Sequence, residues 1–171
     1  SVFNLIDEAS ESNLGNKKMD KSECSIRFDN VSFSYSDERL SLKNISLNIE
    51  QGETVALVGS TGSGKTTLVN LLTRFYNPTD GTILINNHDI NSFDLESFRS
   101  NFAFVDQNVR LFNDTVSGNI AFGQKDKMSF DSITDAANIS NSIEFINNLE
   151  NKFDSEIGED GVTLSGGQRQ R

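Results

Sequence analysis

Gly59-Ser60-Thr61-Gly62-Ser63-Gly64-Lys65-Thr66 matches G-x-x-x-x-G-K-[ST] at every fixed position, the pattern of a loop that wraps phosphates. Its flanks agree. Thr54 to Val58 ends in the continuously apolar Val55-Ala56-Leu57-Val58, which predicts a strand covered on both faces in a parallel sheet. Lys65 to Phe75 places Leu68, Leu71, Leu72 and Phe75 at helical spacing and stops before Pro78, which predicts an amphipathic helix. Glycines at 59, 62 and 64 let successive N–H groups turn inward as an anion nest. Lys65 then brings a point charge to the β- and γ-phosphates, and the Thr66 hydroxyl can ligate Mg²⁺. Ser60, Thr61, Ser63 and Thr67 complete the expected binding set. A flexible Gly/Ser linker would need neither Lys-Thr at these positions nor these flanks.

Upstream, Ile26 and Phe28, then Val31, Phe33 and Tyr35, alternate with polar residues, as do Ile45, Leu47 and Ile49. Two half-buried, antiparallel strands are expected. The apolar patch Val2, Phe3, Leu5 and Ile6 has helical spacing, and Asp7 to Asp20 is polar without periodicity, like a helix end and a linker. Downstream, Thr82 to Ile85 reads as a short strand and Asn86-Asn87 as a turn. Asp94 can cap a helix over Leu95 to Ser100, and Phe102 to Val105 reads as a second buried strand. Beyond Thr115 the texture is helical: Phe130, Ile133, Ala136 and Ala137 form one face, and Ile143, Phe145, Ile146 and Leu149 another.

The 171 residues, 35% hydrophobic, suffice for a packed core and argue against general disorder. With 15 Lys and Arg against 25 Asp and Glu, the net charge of −10 disfavours a broad footprint for nucleic acid or an anionic membrane. A polyanion can still be held locally. Exposed charges are screened beyond about 8 Å at physiological salt, whereas each charge-assisted hydrogen bond contributes about 1.5–3 kcal/mol. The single cysteine, Cys24, cannot close an internal disulfide. No run approaches the roughly 18 apolar residues that span a bilayer.

A second motif narrows the reading. Leu164-Ser165-Gly166-Gly167-Gln168 lies 100 residues beyond the loop lysine, counted from Lys65 to Ser165. Alone it could be a glycine turn, or a helix N-terminus whose serine hydroxyl and open N–H groups meet a γ-phosphate. Together with the phosphate loop it resembles the nucleotide-binding domain of ATP-binding cassette (ABC) transporters, whose signature is LSGGQ. The resemblance runs from Ile26 to Arg171. It implies an α/β P-loop NTPase cassette with a mixed sheet core, an antiparallel β part and an α-helical subdomain. Residues 1–24 are then a linker from a transmembrane region. Residues 25–110 hold the phosphate loop and Q-loop, and 111–171 form the helical subdomain ending at the signature.

By the same resemblance, Tyr35 stacks on adenine, although by pattern alone it could simply pack beside Phe33. Gln107 matches the Q-loop glutamine, which reaches Mg²⁺ and the attacking water and is the catalytic candidate; read alone it would be a polar strand end. The signature residues Leu164 to Gln168 serve the ATP of a partner subunit, which implies a head-to-tail homodimer. The runs Leu72 to Tyr76, Asn108 to Val116, Phe145 to Asn147, Ile157 to Glu159 and Gly161-Val162 look like exporter-type cassettes, most like the lipid A exporters of Gram-negative bacteria. That family implies ATP and Mg²⁺ as cofactors, coupling helices of a membrane part meeting Leu111-Phe112, a lipid substrate, no nucleic acid, and the cytoplasmic face of the inner membrane. Leu111 and Phe112 could equally be plain core. A Walker B aspartate, catalytic glutamate, D-loop and switch histidine are not found within Ser1 to Arg171, and His88 reads as an exposed turn residue. The chain is therefore expected to bind Mg·ATP without turning it over. A soluble cassette acting on nucleic acid or ribosomes is the alternative; a GTP switch is disfavoured because no N-K-x-D motif is present.

Overall fold

The computed structural model describes residues 11, 13–19, 24–36, 40–106, 109–124, 128–158 and 164–171. Val2, Phe3, Leu5 and Ile6, the Q-loop candidate Gln107 with Asn108, and Glu159, Gly161 and Val162 lie outside them. The chain divides into two compact units, Ser1–Ala103 and Phe104–Arg171.

The first unit is built on a four-stranded antiparallel sheet. Its strands are β1 (Ile26–Ser34), β2 (Leu40–Ile49), β3 (Asp80–Ile85) and β4 (His88–Asp89), in the order β2-β1-β3-β4. The alternation in β1 changes phase between Phe28 and Val31, both buried, and the register shifts there against both neighbours. Asn30, at φ 50°, is the hinge. One extra residue in left-handed conformation returns Val31 and Phe33 to the face that Phe28 occupies. Asn86 and Asn87, at φ 51° and 61°, make the tight turn from β3 to β4, the geometry that two-residue hairpins favour. His88 is exposed as expected, but in β4 rather than in the turn itself.

Helix α1 (Lys65–Leu72) packs Leu68 and Leu71 into a core with Phe28, Val31, Phe33, Leu42, Ile83 and Ile85. Each such side chain removed from water stabilises the fold by about 1.5–3 kcal/mol. The helix ends three residues earlier than expected. Arg74 adopts φ 58°, which breaks the helix and turns Phe75 out to solvent. Short helix α2 (Leu95–Arg99) begins as expected at Asp94, whose side chain accepts from the Ser97 N–H.

Two expected strands are not formed. Residues 53–60 pair with no neighbouring strand among the described residues, and Val58 is 94% exposed. Likewise Phe102 to Val105 is not a strand, with Phe104 and Val105 exposed; only Phe102 leans on the core. A wholly apolar strand is stable only when other strands satisfy its edges and other elements cover its faces. Among the described residues, the antiparallel sheet supplies neither.

The described part of the stretch read as a linker, residue 11 and residues 13–19, is hydrogen-bonded to the first unit. Lys17 donates its N–H to Ser92 O (3.1 Å) and accepts from the Asp94 N–H (2.8 Å). The Asn13 amide donates to the Asp94 carboxylate and accepts from the Leu95 N–H, both at 2.8 Å. A Cβ on Gly15 would lie 2.1 Å from Phe93 O, so only glycine fits. Arg99 completes the attachment with a two-pronged ion pair to Glu11, while its Nε and Nη2 donate to the Thr73 and Arg74 carbonyls that end α1. Hydrogen bonding from Arg99 holds the Glu11 carboxyl below the usual carboxylate range, and the Asn13 amide does the same for Asp94. Depressed acid pKa values mean that this contribution is fully present above the unfolded carboxylate range and lost as pH falls from there through the lowered folded-state values. Thermal unfolding between pH 7 and 3 is expected to show a falling acid limb that Glu11→Gln flattens in part; an unchanged limb would remove Glu11 as its source.

The second unit is helical: α3 (Val116–Ile120), α4 (Phe130–Ile139), α5 (Ile143–Asn147) and α6 (Gly166–Gln170). Thr115 and Ser129 cap α3 and α4 by accepting from the N–H groups of Gly118 and Ser132, and each such cap contributes about 1 kcal/mol. Val116, Ala121, Ile133, Ala137, Ile146, Phe153 and Ile157 form its core. Ala137 and Ile133 point inward as the spacing predicts, whereas Phe130 is exposed and meets Phe153 edge-on at 5.2 Å.

Candidate functional site

The loop Gly59 to Gly64 leads from the exposed segment into α1. Gly62 and Gly64 have φ 81° and 90°, left-handed values that side chains with a Cβ resist. Gly64 is the N-cap of α1 and no side chain caps the helix, so the first-turn N–H groups have no acceptor of their own. Such a terminus favours an anion through both its open donors and its dipole. The Lys65 ammonium folds back over the loop, donating to Gly59 O and Ser60 O at 2.8 Å each, with Ser63 Oγ at 3.4 Å. An anion in the loop would replace those neutral carbonyls by charged oxygens, a stronger exchange for an ammonium. Thr66 is exposed and Thr67 buried. The donor set therefore fits a polyphosphate, and the Thr66 hydroxyl is available to a divalent cation.

Tyr35, just past the end of β1, is joined to the loop's helix: its hydroxyl lies 3.2 Å from Thr67 Oγ1. Its ring stands at 85° to Phe33 and 87° to Tyr76, with centroids 4.8 and 5.0 Å away. The first unit thus brings Tyr35, the loop, Lys65, Thr66 and Thr67 onto one chain of contacts. Tyr76 has no place among the site residues expected from the sequence. Its signal in the sequence is membership of the exporter-like run Leu72 to Tyr76, one residue past the expected helix.

In the second unit, Ser165 caps α6 in a reciprocal pair: its hydroxyl accepts from the Gln168 N–H (3.3 Å) and its own N–H donates to Gln168 Oε1 (2.9 Å). Gly166 and Gly167 are exposed, and a Cβ on either would meet nothing within 4 Å. Their small size is therefore not demanded by packing among the described residues. Leu164 leans on the helical core. The same unit holds a cavity of about 500 Å³ whose walls include Leu111, Phe112, Phe122, Phe145 and Leu164. Phe112 and Phe122 stack at 4.0 Å and 12° while remaining exposed.

The family model described as ABC transporter matches residues 42–171, which include both glycine-rich motifs. The chain belongs to the ABC transporter family. Its relatives include the ATP-dependent lipid A-core flippases of Shigella sonnei and Escherichia coli K12, each 44% identical over 172 aligned residues. That of Idiomarina loihiensis is 46% identical over the same length. In each case the whole of this chain is covered, and 30% of the relative. A solved structure of a bacterial Atm1-family ABC exporter with ATP bound superposes with a TM-score of 0.88 and 38% identity, covering 98% of this chain and 30% of that one. The α/β P-loop cassette with an antiparallel sheet is therefore the fold of this ABC transporter chain. The chain spans about a third of the length of its curated relatives.

Proposed function

We propose that the chain is the nucleotide-binding cassette of an exporter that couples ATP binding and hydrolysis to movement of a lipid, lipid A with its core sugars, across the bacterial inner membrane. The observation that carries the ATP-binding half is the loop geometry: two left-handed glycines, an uncapped helix start and a lysine ammonium over the same concavity. The lipid half rests on identity along the full chain to lipid A-core flippases. Under this reading Gly59 to Thr67 hold the phosphates, Thr66 and Gln107 reach Mg²⁺, Gln107 orients the attacking water, and Tyr35 takes the adenine. Bound Mg²⁺ would supply charge neutralisation at the phosphates. Leu164 to Gln168 serve the ATP of a second copy arranged head to tail. The division into linker 1–24, nucleotide part 25–110 and helical part 111–171 belongs to the same proposal.

The exposed Phe112–Phe122 stack beside the cavity supports a role for the Leu111-Phe112 region in receiving coupling helices of the membrane part. The cassette would then work at the cytoplasmic face. The decisive measurement is phosphate release by the whole protein in proteoliposomes. Lipid A is expected to stimulate it and RNA to leave it unchanged; stimulation by RNA alone would transfer the chain to the nucleic-acid class.

A further inference from the structure

The nucleotide reading assigns Tyr35 to the base but leaves open what holds its ring in place. A phenol ring in stacking contact with a base is useful only if its plane is fixed beforehand, since freezing a side chain on binding costs part of the contact energy. Tyr35 follows the last residue of β1 and is 53% exposed, so burial does not fix it. Three contacts do. The buried Phe33 meets it edge-on at 4.8 Å. The Thr67 hydroxyl, on the first turn of α1, holds its phenol oxygen at 3.2 Å. The third contact is Tyr76, whose ring lies 5.0 Å away at 87° and also touches Phe33 at 5.5 Å, closing a three-ring cluster.

Tyr76 owes its place to the break at the end of α1. Arg74 at φ 58° diverts the chain, and the Arg99 guanidinium, 4.9 Å from the Phe75 ring, covers that neighbouring side chain. Phe75 and Tyr76 thereby separate: one faces Arg99, the other joins the aromatic cluster. At 44% exposure Tyr76 contributes little to the core. Its phenyl ring makes two aromatic contacts, and Tyr35 is one of the two partners.

We infer that Tyr76 is a positioning residue for base recognition: it presets the ring plane of Tyr35 and so governs affinity for the adenine end of the nucleotide, without acting on the phosphates. The inference rests on the reading of Tyr35 as the base-stacking residue. Edge-to-face pairs of this kind contribute enough to change an equilibrium by about two- to tenfold.

The test is displacement of a fluorescent ATP analogue by Mg·ATP and by Mg·tripolyphosphate, which has no base, for the parent chain and for Tyr76→Ala, Tyr76→Phe and Tyr35→Ala. Tyr76→Ala is expected to weaken ATP about two- to tenfold and leave tripolyphosphate unchanged, with Tyr76→Phe restoring ATP because the ring contact needs no hydroxyl. Equal weakening of both ligands, no weakening of ATP, or failure of Tyr76→Phe to restore it overturns the inference. If Tyr35→Ala weakens ATP while Tyr76→Ala does not, only the role of Tyr76 falls. If Tyr35→Ala leaves ATP affinity intact, the base-stacking reading falls with it. Thermal unfolding of each variant, expected to match the parent closely, separates positioning from damage to the fold.

Discussion

Replacing Lys65 by alanine is expected to lower the affinity for Mg·ATP by about 100-fold or more while leaving the melting temperature nearly unchanged. The ammonium reaches two loop carbonyls at once, so it can reach two phosphate oxygens in the same loop. Two charge-assisted bonds at about 1.5–3 kcal/mol each exceed the roughly 1.4 kcal/mol that corresponds to a factor of ten at least twice over. Stability is spared because the side chain makes its bonds at an exposed site, where water can replace it. Ser165→Ala is the contrasting variant. It removes one half of the cap on α6, a local cost of about 0.5–2 kcal/mol. Because the proposed arrangement gives the signature to the partner's nucleotide, ATP binding by a single chain should stay within about twofold of the parent. Calorimetric titration of both variants at a concentration that keeps the chain monomeric decides it. Equal losses would overturn the head-to-tail arrangement and leave the phosphate loop untouched.

The parts of the chain that were legible in its sequence are those where a local rule decides the conformation. The phase change between Phe28 and Val31 is written into the spacing of the apolar residues. Asn86-Asn87 favours the one turn that β3 and β4 need, and Asp94 satisfies N–H groups that its own helix leaves open. The phosphate loop is legible for the same reason, since its glycines and lysine act within a few residues of each other. Contacts between distant positions were not legible. Nothing local marks Arg99 as the group that joins Glu11 to the end of α1, 88 residues from that glutamate, or Gly15 as a close neighbour of Phe93. The two apolar segments at 54–58 and 102–105 failed for the opposite reason. Their composition describes the surroundings a strand would need, and composition does not supply the neighbours.

Gly64 is where these two kinds of information meet, and Gly64→Ala is expected to be strongly disruptive for so small a change. Its φ of 90° costs any residue with a Cβ roughly 1–2 kcal/mol. The added carbon would also lie 2.6 Å from Leu42 Cδ2 and 2.9 Å from Ser41 O. Leu42 is buried in the core of the first unit, opposite Phe33 across β1 and β2, so it has little room to retreat, and overpacking of this sort adds about 1–3 kcal/mol. Together the two terms amount to about 2–5 kcal/mol, a large share of the roughly 5–15 kcal/mol that holds a domain folded. The comparison that isolates the packing term is Gly62→Ala. That glycine has a similar φ of 81°, but nothing stands within 4 Å of the added carbon, so only the backbone cost of about 1–2 kcal/mol applies. Denaturant unfolding should therefore rank Gly64→Ala well below Gly62→Ala. The Gly64 variant should also lose Mg·ATP binding, because relieving the clash means moving the helix start that carries the open N–H groups and Lys65. If the two variants unfold together, the loop does not rest on Leu42, and the rigid seat for the phosphates would have to come from elsewhere in the fold.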